Sequence, residues 1–198
     1  MKIKVFTAGP FMTNSYLIIN DNKGIIIDPT IGLEKYMDQI NKYEITAILL
    51  THCHIDHIAS IKLFDAPVYI SEIDALNIKN DKINLSYSFG IAFSLPSNNI
   101  IKLKDNEEIT INGLQIKCLL TPGHTSGGMC FLIEDTLFSG DTLFQASIGR
   151  TDFPTGDMIE LKKSLLRLSM LPEKTKVFPG HGADTSIAFE IKYNPYLK

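Results

Sequence analysis

The sequence predicts an α/β fold of two packed mixed β-sheets flanked by helices on their outer faces. Short β-branched runs recur along the chain, more of them than one sheet between helices holds comfortably. Helical spacing alternates with them, and two Asn-rich turns join neighbouring runs. At 198 residues, 44% hydrophobic and 21% charged, the chain is expected to form one domain over residues 1–198 with a sizeable core.

Taken in order, Lys2–Phe6, Ser15–Ile19 and Gly24–Ile27 read as strands. Asn20-Asp-Asn-Lys-Gly24 joins the second to the third, because Asn and Gly tolerate the positive φ of a tight hairpin. Gly32–Lys42 has helical spacing and Thr46–Leu50 is a strand. Helical patterns over Ile58–Phe64 and Ser71–Asn77 flank a strand at Val68–Ile70. Ile78–Asn99 is the least periodic stretch, polar with Tyr87, Phe89 and Phe93 as punctuation, and reads as a surface excursion beside the site.

Glu108–Ile111 and Gln115–Leu120 form a second hairpin around Ile111-Asn-Gly-Leu114. Met129–Ile133, Thr136–Phe138 and Lys176–Phe178 complete the strands. The helix over Asp157–Leu168 places Ile159, Leu161, Leu165, Leu166 and Leu168 on one apolar face.

The net charge of -3, with Lys and Arg scattered, leaves no basic footprint for nucleic acid or an anionic membrane. Cys53, Cys118 and Cys130 are odd in number and lack CxxC spacing, and Met-Lys-Ile-Lys-Val at the start lacks an apolar signal core. Apolar runs fall far short of the roughly 18 residues of a membrane span. A cytoplasmic, soluble protein is expected, with a small-molecule substrate as its partner; oligomeric state is not readable.

All five histidines stand where a metal site would want them. His52, His54 and His57 share the heptapeptide Thr51-His-Cys-His-Ile-Asp-His57, and His124 and His181 each follow Pro-Gly. Each cluster follows an apolar run, as does Asp141 in Ser139-Gly-Asp141, so strand ends can bring them together. Alternating His52 and His54 can face one cation with His124. Asp56 and His57, at the entry to a helix, can face a second cation with His181, and Asp141 can bridge. Imidazoles and carboxylates so crowded are costly to bury without partners, which argues against a purely packing role.

Two cations about 3.5–4 Å apart would lower the pKa of a bridging water toward roughly 7 and present hydroxide to an electrophilic carbonyl. No protein nucleophile is needed, and Asp56 is expected to orient the water or receive its proton. Cys53 reads as a bystander thiol, since nothing beside it marks a lowered pKa. The glycines around the ligand segments suit tight turns and close backbone approach. Arg150 is a candidate to bind a substrate carboxylate through its planar fork; an internal pair with Asp152 is the alternative.

The pattern His52-x-His54-x-Asp56-His57, then His124, Asp141 and His181, resembles the metallo-β-lactamase superfamily over the whole chain. The resemblance implies an αββα sandwich, with His52, His54 and His124 at one metal, Asp56, His57 and His181 at the other, and Asp141 between them. Asp28-Pro29, Thr121-Pro-Gly-His-Thr125, Ser139-Gly-Asp-Thr-Leu-Phe144, Gly149-Arg-Thr-Asp-Phe-Pro154 and Tyr193-Asn-Pro-Tyr196 are similar to hydroxyacylglutathione hydrolases, the short glyoxalase II-like branch.

That resemblance implies two divalent ions, zinc or else iron or manganese, hydrolysis of S-D-lactoylglutathione or a related hydroxyacyl thioester, and Arg150 against the glutathione moiety. The larger glyoxalase II enzymes carry a helical C-terminal extension with further glutathione-binding residues, whereas this chain stops soon after His181. Thioester hydrolysis is therefore implied more firmly than the thiol. The alternative is a persulfide dioxygenase using a single iron, an oxidoreductase that the chain resembles through His52, His124, Asp141 and the Gly-Arg-Thr-Asp-Phe stretch. Metal count and identity separate the two.

Overall fold

The computed structural model describes residues 1–95 and 99–197. In chain order its strands are β1 (Lys2–Ala8), β2 (Thr13–Asn20), β3 (Lys23–Ile27), β4 (Glu44–Leu49), β5 (Val68–Ser71), β6 (Ile100–Leu103), β7 (Glu108–Ile111) and β8 (Leu114–Leu120). Then come β9 (Met129–Ile133), β10 (Thr136–Gly140), β11 (Leu143–Phe144), β12 (Ser147–Ile148), β13 (Lys176–Pro179) and β14 (Thr185–Ser186). The α-helices are α1 (Met37–Ile40), α2 (Ile55–Ile58), α3 (Asp74–Asn77), α4 (Met158–Ser169) and α5 (Ile187–Tyr193).

One six-stranded sheet runs β1-β2-β3-β4-β5-β6, a second runs β14-β13-β10-β9-β8-β7, and β11 pairs with β12 in a small ribbon. Both large sheets are mixed. β1 to β3 pair antiparallel and β3 to β6 parallel. In the second sheet β10 and β13 are parallel and the other pairs antiparallel.

Strand alternation sorts the apolar side chains into three layers. Tyr16, Ile18, Ile25, Ile27 and Leu49 of the first sheet meet Ile116, Phe131, Ile133 and Phe138 of the second in the inner layer. Their neighbours Leu17, Ile26 and Ile48 face the other way, against Leu33, Ile40, Ile55 and Ile58. On the far side, Cys130, Leu137 and Val177 pack against Leu161, Leu165 and Leu168 of α4 and Ile187 of α5. Each such fully buried Leu, Ile or Phe stabilises the fold by about 1.5–3 kcal/mol relative to exposure. The four-layer order follows: helix, sheet, sheet, helix.

The two hairpins form where the sequence predicts them. Asp21 and Asn22 take φ of 50° and 57° between β2 and β3, and Asn112 and Gly113 take 52° and 76° between β7 and β8. The helices differ more. The pattern over Gly32–Lys42 breaks into a 3-10 turn, Leu33–Tyr36, and α1. The pattern over Ile58–Phe64 is displaced: α2 starts at Ile55 and stops when Ser60 N–H donates to Pro29 O at 2.9 Å, leaving only a 3-10 turn at Ile61–Leu63. Ser71 belongs to β5, so only Asp74–Asn77 of the third pattern is helical.

In α4, capped by the Asp157 carboxylate accepting from Ile159 N and Glu160 N, Leu161, Leu165 and Leu168 are buried, but Ile159 and Leu166, predicted on the same face, are exposed. β6, β11, β12, β14 and α5 were not foreseen. Residues 78–95 do run beside the histidine cluster: Asn84 O accepts from Ile55 N at 2.8 Å, and Leu85 and Phe89 line the cleft above it. Positions 96–98 of that stretch lie outside the described residues.

Topology places the strand ends together. β8 lies two strands from β10 across antiparallel β9, so β8, β10 and β13 all point one way. β3 and β4 likewise run parallel to each other. At the mouth between the sheets β2 is tied to the turn after β13: Asn14 N donates to Gly180 O at 2.7 Å, Tyr16 OH to Pro179 O at 2.5 Å, and Thr13 bridges His181.

Candidate metal centre

His52 and His54 follow β4, His124 follows β8, Asp141 follows β10 and His181 follows β13, while Asp56 and His57 sit in the single turn of α2. All seven predicted donors converge. His52, His54 and His124 form one group, Asp56, His57 and His181 another, and His52, His57 and Asp141 a third joining them, each with ligand atoms within 4.8 Å of one another.

His54 Nδ1 and His124 Nε2 are 2.9 Å apart. His57 Nε2 lies 3.3 Å from Asp56 Oδ2 and 3.5 Å from Asp141 Oδ1, and His181 Nε2 lies 3.4 Å from Asp56 Oδ2 and from Asp141 Oδ2. His52 Nε2, His57 Nε2 and Asp141 Oδ1 are buried and hydrogen-bond to nothing. Leaving such atoms unsatisfied costs about 1–3 kcal/mol each. Facing one another at these spacings, they suit divalent cations as their missing partners.

The backs of the rings are fixed by residues whose part the sequence reasoning did not foresee. Asp28 Oδ2 accepts from His57 Nδ1 at 2.9 Å and from the Thr51 hydroxyl at 2.6 Å, while Asp28 Oδ1 accepts from Thr51 N at 2.8 Å. Thr51 Oγ1 is also 3.1 Å from His52 Nδ1. Backbone carbonyls of Arg150 and Phe11 take the Nδ1 of His124 and His181 at 2.7 and 3.1 Å. Holding Nδ1 this way presents Nε2 inward. The available signal was a lone aspartate directly after the apolar run Ile25–Ile27 of β3. Thr13 donates to Asp56 Oδ2 at 2.8 Å.

Asp74, also unforeseen, is fully buried and accepts from Cys53 N at 3.1 Å and Thr125 Oγ1 at 3.0 Å, so it grips the neighbours of His52, His54 and His124. Cys53 packs in the outer core with its thiol pushed up by burial and by Asp74, consistent with the bystander reading. Gly180 has a role that a side chain would spoil: a Cβ there would run into Asp141 Oδ1 and His57 Cε1.

The electrostatics ask for positive charge. Burial disfavours ionised Asp141, yet His57 and His181 beside it bring its pKa down to about 2. Burial likewise opposes a charged His181, but hydrogen bonds with Asp141 and Asp56 outweigh it and raise the ring to about 9. Burial also works against charge on His57, and Asp56, Asp141 and Asp28 overcome it and hold the ring above its ordinary value. His54, with burial and His124 acting together, is lowered to about 3, and His52 falls well below the usual imidazole value through burial and His57. His52 and His54 are thereby neutral, as ligation requires, while charged His57 and His181 stand in for cations beside the Asp56 and Asp141 carboxylates and must give up their protons when a metal binds.

A cleft of about 440 Å³ opens onto Asp56, Asp141 and His181 and is walled by Phe11, Leu85, Phe89, Phe144, Ile148 and Phe153. Arg150 stands at its rim, 57% exposed, in the alternative arrangement: Nε and an NH2 group donate to Asp152 at 2.6 Å each, and the guanidinium lies 3.9 Å over Phe153.

An αββα sandwich with five imidazoles and two carboxylates at one edge defines a metal-dependent hydrolase class of fold. Residues 8–181 match the metallo-beta-lactamase superfamily, and the chain belongs to it. An uncharacterized protein of Aquifex aeolicus is 36% identical over 99% of this chain and 97% of its own length. "Probable metallo-hydrolase YqgX" of Bacillus subtilis is 34% identical over 100% of this chain and 98% of its own. The crystal structure of BLEG-1 B3 metallo-beta-lactamase superposes with a TM-score of 0.90 at 34% identity, covering both chains fully. TTHA1623 in a di-iron-bound form gives 0.86 at 33% identity, covering 98% of this chain and 100% of that one. ETHE1 from Myxococcus xanthus gives 0.79 at 29%, covering 98% and 84%.

Proposed function

We propose that the chain is a metal-dependent hydrolase of small thioesters. In this reading His52, His54 and His124 hold one divalent cation, Asp56, His57 and His181 a second, and Asp141 is shared. The observation that carries it is the set of buried inward atoms on His52, His57 and Asp141 that have no hydrogen-bond partner, with a complete second donor set beside them. When bound, two such cations supply a water of lowered pKa and stabilise negative charge developing on a carbonyl oxygen.

The protein's own groups prepare that chemistry. Asp28 and Thr51 orient His57 and His52 from behind, and the Thr13 hydroxyl fixes Asp56. Despite its burial, Asp56 is held far below the usual carboxylate range by His57 and His181, so it stays ionised, the form in which a carboxylate ligates a cation. Phe11, Phe89, Phe144 and Phe153 make one side of the cleft above the cluster apolar.

Hydroxyacyl thioesters, with S-D-lactoylglutathione assayed first, are the substrates that the sequence motifs support. A β-lactam, which the name of BLEG-1 attaches to a protein 34% identical, is a carbonyl electrophile of the same kind and belongs in the same screen. One second reading is the persulfide dioxygenase that the chain resembles through His52, His124, Asp141 and the Gly149-Arg-Thr-Asp-Phe153 stretch. We place the protein in the cytoplasm on its three free, buried cysteines. Among the described residues no helix is long and apolar enough to cross a membrane.

Elemental analysis of untagged protein purified without added metal, followed by thioester turnover, tests the proposal. Two cations per chain with thioester hydrolysis are expected; the di-iron form of TTHA1623 makes iron as well as zinc a cation to look for. A single iron, with oxygen consumed in the presence of a persulfide, would overturn it in favour of the dioxygenase.

A further inference from the structure

The cleft above the histidine cluster is apolar in a way that metal ligation does not require. Phe11 and Phe89 meet edge-to-face at 4.7 Å between ring centroids. Phe11 comes from the β1–β2 turn, Phe89 from the long loop after α3, Phe144 from β11 and Phe153 from the turn before α4, so no single element's packing explains why they gather here. Phe89 keeps 40% of its surface exposed beside them. Exposed aromatic surface clustered around a functional opening marks a ligand contact.

Charge at the rim points the same way. Arg150 is the only Lys or Arg among the described residues lining the cleft. Its Nε and one NH2 are both engaged by Asp152, and its flat face is covered by Phe153. The pair is neutral as a unit, with two of the three guanidinium nitrogens committed to Asp152, so its net attraction for a substrate carboxylate is reduced. Glutathione carries two carboxylates and an ammonium, whereas the wall away from the histidine cluster is Phe, Leu and Ile side chain, with Ser147 and the Asp152-paired Arg150 as the polar exceptions.

Resting on the thioester reading above, we infer that the substrate arm seated against Phe11 and Phe89 is uncharged and apolar, an aromatic or alkyl group, rather than glutathione. The reacting carbonyl lies over the histidine cluster, and the arm runs outward between Phe89 and Phe153. Burying a phenyl-sized group there raises kcat/KM for such thioesters through a lower KM, by about ten-fold or more over a charged arm of similar volume.

The test uses the metal-loaded full chain and lactoyl thioesters of 2-phenylethanethiol, N-acetylcysteamine and glutathione. The phenylethyl ester should turn over with the highest kcat/KM, and Phe89→Ser should erase most of that advantage by raising its KM. Equal rates, or a preference for the glutathione ester, would overturn the apolar arm and leave the hydrolase standing. Failure of all three esters would overturn the hydrolase instead. Calorimetric binding of phenylethyl methyl thioether and S-methylglutathione then decides the arm: tighter binding of the first, weakened in Phe89→Ser, supports it, and equal or tighter binding of the second sinks it.

Discussion

Asp28 Oδ2 accepts the Nδ1 proton of His57 at 2.9 Å while the same carboxylate takes both the hydroxyl and the amide of Thr51, so one buried aspartate sets the ring orientation on which the second donor group depends. Asp28→Asn keeps the volume but turns one acceptor into a donor facing another donor. The expected result is a loss of metal affinity of about 10–100-fold at the Asp56–His57–His181 group with the fold retained. Competition with a chromophoric chelator measures it, and unchanged affinity would remove Asp28 from the site's support.

Replacing a donor should uncouple activity from stability. Asp141→Asn and His124→Ala each remove an inward-facing atom from the cluster and no apolar side chain from the three core layers. Turnover should fall to background while the circular dichroism spectrum is retained. Full activity in either variant would overturn the ligand assignment.

Cation loading should release protons. His181, raised to about 9, and His57, raised as well, are protonated at neutral pH, and both must be neutral to ligate. The sign follows: apparent affinity strengthens as pH rises toward about 9 and weakens as pH falls. Titration calorimetry in two buffers of different ionisation enthalpy should show protons released on binding, and identical heats in both would contradict the coupling.

The donors were legible because their chemistry is improbable elsewhere: a packing role does not explain His52, His54, Asp56 and His57 within one heptapeptide after an apolar strand. The layers were legible through alternation, as Leu17 and Ile18 or Leu137 and Phe138 part to opposite faces. Local periodicity misplaced the short helices because their ends are set by distant partners, as when Pro29 O takes the Ser60 N–H and ends α2. Asp74 carries no local signature and Asp28 only its place after a strand, since each acts on groups that only the folded chain brings near. Arg150 was visible as a candidate and its pair with Asp152 as the alternative, which the structure shows; its stacking on Phe153 is a matter of rotamer, beyond what spacing can give.

Asp74 offers the sharpest separation between holding the fold and holding the donors. Its Oδ2 accepts from Cys53 N, between His52 and His54, and from the Thr125 hydroxyl, next to His124, so it braces all three members of the first donor group without touching any of them. Ser71 extends the brace, its hydroxyl donating to Gly127 O at 2.6 Å and accepting from Asp74 N at 3.1 Å. Burial raises the Asp74 pKa, with the Thr125 hydroxyl and Cys53 amide working against that rise and supporting the ionised form. Asp74→Ala strands those donors in the core and should cost about 1–3 kcal/mol for each one left unsatisfied. Asp74→Asn retains an acceptor oxygen and should recover most of that stability. Thermal unfolding and metal stoichiometry, measured together, check the claim: Asp74→Ala should lose cation from the His52–His54–His124 group before it unfolds, and full occupancy up to the melting transition would leave Asp74 a packing residue only.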